Sequence, residues 1–261
     1  EKRLNTGFVR ECHGDLHLKN ICFFKDKVTL FDAIEFEKEF SNIDVLYDFS
    51  FLLMDLIQRQ QTSLANVLMN RYIGLSGDVE GIHLLPFFLS MRALIRTHVT
   101  GVASQNQPSD GQIQAMEQEA QDYLESAQLY LSKRKNVLIA IGGLSGSGKS
   151  TVAKRLAPKL GMLPGAVILR TDMIRKRLMG VKPEQKLTSD AYRPEMNETT
   201  YKTLYEEVTT ALRAGYSVII DGVFAREEER KELETIAYEN NVSFKGFWLD
   251  VGESVRVERV Q

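Results

Sequence analysis

The stretch VLIAIGGLSGSGKST, residues 137–151, decides the fold of one half of the chain. Within it, Gly143–Ser150 satisfies the pattern G-x-x-x-x-G-K-[ST] at every position. The apolar run Val137–Ile141 predicts a buried strand, and Lys149–Ala157 predicts a helix that Pro158 limits. A glycine-rich turn between a strand and a helix is the setting in which this pattern holds phosphate groups. We therefore expect a nucleotide to bind here.

The residue types in this turn follow from the needs of a phosphate. Backbone N–H groups converge at short range only where side chains are absent, which explains Gly143, Gly146 and Gly148. The N-terminus of the following helix adds a favourable dipole. Lys149 is expected to reach the β- and γ-phosphates and the Ser150 hydroxyl to bind Mg²⁺, so ATP and Mg²⁺ are the expected cofactors. The expected nucleotide contacts in the turn are Gly143, Ser145, Gly146, Ser147, Gly148, Lys149, Ser150 and Thr151.

From the basic segment Ser132–Asn136 onward, the hydrophobic pattern alternates between strands and helices. A long helix is predicted to be capped by Asn197 and to end at Gly215. Alternation of this kind implies right-handed crossovers and a parallel sheet that helices cover on both faces. The further predicted strands are Ala166–Arg170, Ser217–Asp221 and Phe244–Asp250, and a further helix is predicted over Glu227–Glu239.

Two aspartates follow predicted strands, at the sheet edge where ligands of parallel sheets gather. Asp172 comes after the second strand, with Arg175 three residues later. Its carboxylate can accept the proton of an attacking hydroxyl, and Arg175 can bind an anionic group. Asp172 can alternatively cap a helix over Met173–Leu178. Asp221 ends the third strand, where it can hold Mg²⁺ or serve as a cap or turn residue.

These elements resemble the P-loop kinases of the polynucleotide-kinase, zeta-toxin and gluconate-kinase kind, over residues 136–261. The resemblance implies that Asp172 is the general base, Lys149 the phosphate clamp and Ser150 the metal ligand. It also implies that Arg256 belongs to a lid over the phosphates; Arg256 and Arg259 can alternatively form a solvated helix face. The closing strand of that family is expected beyond Gln261, so we expect the domain to be truncated.

The other half contains the stretch HGDLHLKNICFFKDKVTLFD, in the order His13-Gly14-Asp15, Asn20 and Asp32. A β-hairpin is predicted across it, and helices are predicted over much of 43–134. The order of these residues resembles the catalytic stretch of aminoglycoside phosphotransferases. That resemblance implies Asp15 as the base, and Asn20 and Asp32 as Mg²⁺ ligands. No glycine-rich loop with its lysine precedes His13 in the 261 residues, so we expect this half to act as a scaffold or recognition module.

The predicted fold class is α/β, with a mostly helical kinase-like C-lobe followed by a P-loop parallel-sheet domain. We expect an aminoglycoside-phosphotransferase-like lobe over residues 1–134 and a P-loop kinase domain over 135–261. The two halves in this order resemble bacterial bifunctional aminoglycoside phosphotransferase-like and ATP-binding proteins. We expect transfer of the γ-phosphoryl group of ATP to a hydroxyl of a small molecule or a nucleic-acid end. The alternative is an ATP-sensing regulatory module without productive transfer, whose kinase-like half is inactive.

Composition limits the partners and the location. The formal net charge is −2, so we expect no strong general binding to nucleic acid. No apolar run approaches the ~20 residues that a membrane span requires, so we expect no membrane partner. The two cysteines, Cys12 and Cys22, are too few for a disulfide framework and favour a cytoplasmic location. The chain begins with Glu1 and ends inside a predicted helix, so we expect a piece cut at both ends.

Overall fold

The computed structural model describes residues 1–224 and 226–260. The chain divides into two compact units. The first contains Glu1–Ala65 and Leu84–Ser132, and the second contains Asn66–His83 and Lys133–Gln261. The first is mostly helical and the second is built on a parallel four-stranded sheet, so the predicted α/β class is confirmed.

The first unit is made of helices and two small antiparallel pairs of strands. Helix α3 begins where the Asp44 side chain accepts a hydrogen bond from the Leu46 backbone N–H at 2.8 Å. Its buried side chains include Leu53 and Met54, and α5 packs against both α3 and α6. The strands are β1 (Val9–Glu11), β2 (Ile21–Phe24), β3 (Lys27–Leu30) and β4 (Asn42–Asp44). The helices are α1 (Lys2–Asn5), α2 (Lys38–Ser41), α3 (Val45–Gln58), α5 (Leu85–Ser104) and α6 (Asp110–Tyr130). Helix α4 (Thr62–Ser76) begins in this unit and belongs to the second unit from Asn66 onward.

The predicted hairpin is the antiparallel pair β2 and β3, in which Ile21 lies opposite Leu30. Its two turn residues, Lys25 and Asp26, both have positive φ angles, of 48° and 59°. A two-residue turn with both central φ angles positive matches the twist of the strands that it joins. The turn therefore favours close pairing of β2 and β3. Asn20 lies directly before β2.

In the second unit all strands of the sheet are parallel, in the order β6-β7-β5-β8. Three crossovers carry helices over the faces of this sheet, and the inner strands β5 and β7 are almost entirely buried. The strands are β5 (Val137–Gly142), β6 (Val167–Arg170), β7 (Val218–Asp221) and β8 (Ser243–Trp248). The helices are α7 (Lys149–Leu156), α8 (Thr171–Leu178), α9 (Pro194–Arg213), α10 (Glu227–Glu239) and α11 (Glu253–Val260).

The register of the sheet brings the residues at the carboxyl ends of three strands side by side. Ile141 of β5 pairs with Asp221 of β7, and Asp221 pairs with Arg170 of β6. The glycine-rich turn follows β5 at the same edge, because parallel strands share their carboxyl ends. A core of apolar side chains holds these strands in place: Ile139, Ile141, Ala153, Ala157, Ala166 and Ile219.

The outer strand β6 is bonded on its free side by two asparagines of α4. Asn70 accepts a hydrogen bond from the Ile168 backbone N–H at 2.6 Å and donates one to the Ala166 carbonyl at 3.1 Å. Asn66 donates to the same carbonyl, also at 3.1 Å. The two side-chain amides therefore satisfy backbone groups of β6 that a further strand would otherwise bind.

Helix α9 begins earlier than the sequence predicted. Pro194 occupies its first turn, and Asn197 lies inside the helix instead of capping it. A proline at this position has its φ angle preset for the helix and has no N–H to leave unsatisfied. The Asn197 side chain instead donates to the Tyr192 carbonyl at 3.0 Å.

Within the residues that the structure describes, no helix has the length and apolar character required to cross a membrane.

Candidate nucleotide-binding site

The turn between β5 and α7 takes its shape from glycines with positive φ angles. Gly143, Gly146 and Gly148 have φ angles of 141°, 79° and 93°. A Cβ atom on Gly146 would lie 2.5 Å from the Arg256 carbonyl oxygen, and one on Gly143 would lie 2.7 Å from the Leu249 carbonyl oxygen. Glycine is therefore required at both positions, for the backbone angle and for the space.

The turn also offers free hydrogen-bond donors. Among residues 1–224 and 226–260, the backbone N–H groups of Gly146 and Gly148 have no hydrogen-bond partner. Gly148 occupies the position before the first turn of α7, so its N–H lies at the positive end of that helix. Free N–H groups at a helix N-terminus are suited to bind phosphate oxygens.

The Lys149 ammonium group lies over the turn. Its Nζ donates a hydrogen bond to the Leu144 carbonyl oxygen at 2.9 Å. Partial burial lowers the pKa of Lys149; the negative charge of Asp221 opposes this shift, and the positive charge of Arg170 adds to it. A carbonyl oxygen is a weaker partner for an ammonium group than a phosphate, so this contact can be exchanged when a nucleotide binds.

The two predicted metal ligands of this unit lie together. The Ser150 hydroxyl donates a hydrogen bond to Oδ2 of Asp221 at 2.5 Å. The Nε atom of Arg170 lies 3.4 Å from the same oxygen, and Asp221 is buried. Hydroxyl and carboxylate oxygens are the hard ligands that Mg²⁺ prefers, and Mg²⁺ usually takes its remaining ligands from water and phosphates. In the described ranges no group of three or more His, Cys, Asp or Glu side chains is placed to hold a metal.

Asp172 lies in the first turn of α8, directly after β6. The cap position of this helix belongs to Arg170, so the alternative that Asp172 is the cap is wrong. Its Oδ2 lies 3.4 Å from the Lys176 ammonium nitrogen and 4.0 Å from Nη2 of Arg170. Two cations thus orient a carboxylate that remains partly exposed to solvent.

Arg175 is buried and already has partners. Its Nη1 donates to the Ala191 carbonyl at 2.5 Å, and its guanidinium carbon lies 4.9 Å from the centre of the Tyr192 ring. These contacts tie α8 to the short 3₁₀ helix Ser189–Tyr192. Arg175 also borders the cavity described next, and its role as an anion contact stays a prediction.

The turn, the Ser150–Asp221 pair and Asp172 all line one cavity of about 1680 Å³. The cavity extends to side chains of α9 and α10, including Tyr201 and Tyr205. A space of this size accommodates a nucleotide together with a second substrate, since ligand sites commonly measure roughly 300–1,000 Å³.

The two arginines of α11 have different surroundings. Arg259 donates to the Gly146 carbonyl at 3.4 Å and lines the cavity. The Nε of Arg256 donates instead to the Val251 carbonyl at 3.0 Å. Both predicted lid residues therefore lie beside the glycine-rich turn, but Arg259 is the one that borders the cavity. The predicted nucleotide contact of Arg256 stays a prediction.

Two of the functional residues predicted in the first unit, Asp15 and Asn20, lie in a loop that hydrogen bonds hold in place. Asp48 is buried, and its two oxygens accept hydrogen bonds from the backbone N–H groups of His13, at 3.1 Å, and Gly14, at 2.9 Å. The Asn20 amide donates to the Asp15 side chain at 3.0 Å and to its carbonyl at the same distance. Asp15 and Asn20 are thus brought together as the sequence order suggested.

Burial raises the pKa of Asp48; the two backbone hydrogen bonds and the charge of Arg92, whose Nη2 lies 3.9 Å away, act in the opposite direction. Arg92 also donates to the Gly14 carbonyl at 3.3 Å. The loop is therefore supported from α3 and α5 together. Asp32 is exposed, with a positive φ angle of 61°, and follows β3; its metal role stays a prediction.

Sequence reasoning missed several residues of the site. Arg170 ends β6 just as Asp221 ends β7, and that parallel position was a signal that could have identified it. Tyr201 and Tyr205 are four residues apart on one face of α9, but this spacing is equally typical of a buried helix face.

One protein family matches the part of the chain that contains the glycine-rich turn. A family model described as an AAA domain matches residues 138–261. The uncharacterized proteins Rv2004c of Mycobacterium tuberculosis and Mb2027c of Mycobacterium bovis are each 28% identical over 263 residues, which covers 99% of this chain and 51% of theirs. The chain thus spans about half the length of the curated relatives it matches.

Some solved structures are similar to part of this chain. The crystal structure of APE1195 aligns with a TM-score of 0.37 and 20% identity, over 49% of this chain and 68% of that one. The APS kinase CysC of Mycobacterium tuberculosis, in complex with AMPPNP and APS, aligns with a TM-score of 0.33 and 18% identity, over 48% of this chain and 68% of that one. The glycine-rich turn, the parallel sheet and the family match make residues 138–261 a P-loop domain, a kind of domain that binds nucleotides.

Proposed function

We propose that the chain is an ATP- and Mg²⁺-dependent phosphotransferase that acts through its P-loop domain. The observation that carries the proposal is the placement of Asp172 in the same cavity as Lys149, Ser150 and Asp221. Nucleotide binding alone needs the glycine-rich turn, the lysine and the metal ligands. Transfer to a hydroxyl needs a proton acceptor as well, and Asp172 is a partly exposed carboxylate in the right cavity.

The residues divide the reaction between them. Lys149 moves from the Leu144 carbonyl to the β- and γ-phosphates, and the free N–H groups of the turn bind the phosphate oxygens. Ser150 and Asp221 would hold Mg²⁺, which would reduce the negative charge of the phosphates. Asp172 takes the proton of the acceptor hydroxyl while the oxygen of that hydroxyl bonds to the γ-phosphorus. The bond from the γ-phosphorus to the bridging oxygen breaks, and ADP leaves.

Arg259 completes the cationic part of the cavity. It lies on α11, donates to the Gly146 carbonyl of the glycine-rich turn and lines the cavity. Positive groups in such a position stabilise the charge of the transition state. We propose that Arg256 and Arg259 together form a lid over the phosphates.

We propose that the first unit is a kinase-like scaffold or recognition module related to aminoglycoside phosphotransferases. The hydrogen bonds of Asp48 to the His13 and Gly14 backbone and the Asp15–Asn20 contact support this proposal. A cytoplasmic location also remains a prediction of the sequence.

One variant tests the phosphotransferase proposal against the sensing alternative. Asp172→Asn keeps the size of the side chain but removes the base. We expect transfer of labelled phosphate to fall by ~10²–10⁴-fold, with ATP affinity within a few-fold of the unaltered protein. The acceptors screened are sugars, nucleosides, aminoglycosides and 5′-hydroxyl oligonucleotides.

The matched control is Asp190→Asn. Asp190 is also an exposed aspartate beside an arginine, Arg193, at 2.7 Å, but does not line the cavity. The control should leave transfer unchanged. A normal transfer rate in Asp172→Asn, accompanied by a lowered melting temperature, would refute the catalytic role.

A further inference from the structure

We propose that the hydroxyl acceptor is a small organic cation, such as an amino sugar or an amino alcohol. It would bind in the part of the cavity lined by α9 and α10, which we call the acceptor end. The proposal rests on the phosphotransferase function above and names the substrate class of that same site.

The acceptor end is formed by one face from each of two helices. From α9, Glu198, Tyr201 and Tyr205 line the cavity at spacings of three and four residues, which places them on one side of the helix. From α10, Glu228 and Glu232 line it four residues apart. Both faces thus direct carboxylates or phenol rings toward the same space.

The helix dipole does not explain all of these carboxylates. Glu228 and Glu229 lie in the first turn of α10, where the dipole favours acidic residues. Glu198 and Glu232 lie beyond the first turns of their helices, where that effect has faded. Across residues 1–224 and 226–260, neither Glu198 nor Glu232 has an ion-pair partner. Their charges therefore remain available to a ligand.

The charges of the cavity are separated by location. Lys149, Arg170 and Arg259 lie at the glycine-rich turn, where ATP phosphates would bind. At the acceptor end four glutamates face two arginines, Arg226 and Arg175. Arg175 is buried, and its Nη1 donates a hydrogen bond to the Ala191 carbonyl. The acceptor end is thus net negative.

The tyrosines add a second reason to expect a cation. Tyr201 and Tyr205 are half-buried beside Glu229, and burial is the main cause that raises the pKa of both, that of Tyr205 to about 12. They therefore stay neutral, and they present ring faces that attract ammonium groups. A nucleic-acid end would bring several phosphates against the glutamates, which disfavours that acceptor class.

The test compares acceptors that differ only in charge. Choline is paired with 3,3-dimethylbutanol, its neutral isostere, and glucosamine is paired with glucose; a 5′-hydroxyl oligonucleotide is the anionic member. We expect kcat/KM for the cation to exceed that of its neutral partner by at least tenfold in one pair. Equal or better transfer to the neutral members or to the oligonucleotide would overturn the proposed class while leaving the phosphotransferase function intact.

Substitution of single glutamates tests which carboxylates bind the cation. Glu198→Gln and Glu232→Gln should each raise KM for the preferred cation about tenfold, with kcat, KM for ATP and KM for the neutral partner unchanged. Glu234→Gln is the matched control, because Glu234 is an exposed residue of α10 outside the cavity lining. Unchanged KM for the cation in both cavity variants would also overturn the proposal. Absence of transfer to every acceptor, despite ATP binding, would instead refute the phosphotransferase function and the proposed class with it.

Discussion

The glycine-rich turn at residues 143–150 and the loop at residues 13–20 are both shaped by hydrogen bonds, but they use their backbone N–H groups differently. In the loop at residues 13–20, the N–H groups of His13 and Gly14 are bonded to the carboxylate of Asp48. In the glycine-rich turn, those of Gly146 and Gly148 have no partner within the described residues. The N–H groups of His13 and Gly14 are thus bonded within the protein, whereas those of Gly146 and Gly148 are left for a ligand.

The same difference holds for the carboxylates. Asp15 is engaged by the Asn20 amide at 3.0 Å, whereas Asp172 is approached by the cationic side chains of Arg170 and Lys176. Resemblance of a residue order to a catalytic motif therefore says less about activity than the number of donors and acceptors that remain free. The predictions below test this contrast.

The largest effect is expected for Lys149→Ala. Removing the ammonium group takes away the main positive charge at the β- and γ-phosphates, so ATP affinity should fall by about 100-fold or more, measured by calorimetry. Lys159→Ala, at an exposed lysine outside the cavity, should bind ATP normally. Undiminished binding by Lys149→Ala would mean that ATP binds elsewhere in the chain.

The next effect concerns a buried carboxylate of the second unit. Burial raises the pKa of Glu207 to about 7, despite its ion pair with Arg177. The folded state then binds the proton more tightly than the unfolded state, so this contribution to stability is present below pH ~4.5 and is lost as the pH rises to 7. We expect Glu207→Gln to abolish a pH-dependent loss on the order of 2 kcal/mol in the free energy of unfolding.

Urea unfolding at pH 5, 6, 7 and 8 would measure this effect. The informative quantity is the difference between Glu207→Gln and the unaltered chain at each pH. Glu234→Gln, at an exposed residue of α10 that does not contribute to the shift, should follow the unaltered chain. Parallel pH profiles for all three proteins would contradict the shifted pKa.

A smaller effect is expected for Gly146→Ala. Its Cβ would meet the Arg256 carbonyl at 2.5 Å, and its φ angle of 79° is strained for alanine. The loop must shift, so ATP affinity should fall about tenfold, with a loss of ~1 kcal/mol in stability. Gly252→Ala is the control, because an added Cβ there meets no atom within 4 Å. Equal ATP affinities in these two variants would show that the turn tolerates side chains.

The smallest effect is expected for Asp15→Asn. The Asp15 carboxylate is already bonded to the Asn20 amide. Replacing the carboxylate should therefore change the ATP turnover of the chain by less than about twofold. A fall of ~100-fold or more, within the range for a lost acid–base group, would show that the loop at residues 13–20 is itself catalytic. That result would contradict the inference that a loop with its carboxylate already bonded is not catalytic.

The sequence was informative where a pattern had a single physical explanation. The glycine-rich turn and the apolar strands of the parallel sheet were predicted because only buried backbone and phosphate binding account for such residues together. Local composition also predicts a hairpin turn at Lys25-Asp26-Lys27; in the structure Lys27 already belongs to β3.

Features that depend on neighbours distant in the chain were not predictable. The helical pattern of α4 does not reveal that Asn66 and Asn70 bond to β6, since polar residues on a helix usually face water. The partners of Arg175 come from a 3₁₀ helix 14 or more residues later, and no spacing rule connects them. The glutamates of α9 and α10 resembled solvated helix faces until the cavity brought them together.

The contact of Asn66 and Asn70 with β6 has a practical consequence for how the P-loop domain can be isolated. An uncovered outer strand offers its backbone to other molecules and promotes aggregation through sheet extension. A fragment that starts at Lys133 would lack Asn66–His83 and would expose the backbone of Ala166 and Ile168. Such a fragment should therefore tend to self-associate, and one that retains α4 should do so less.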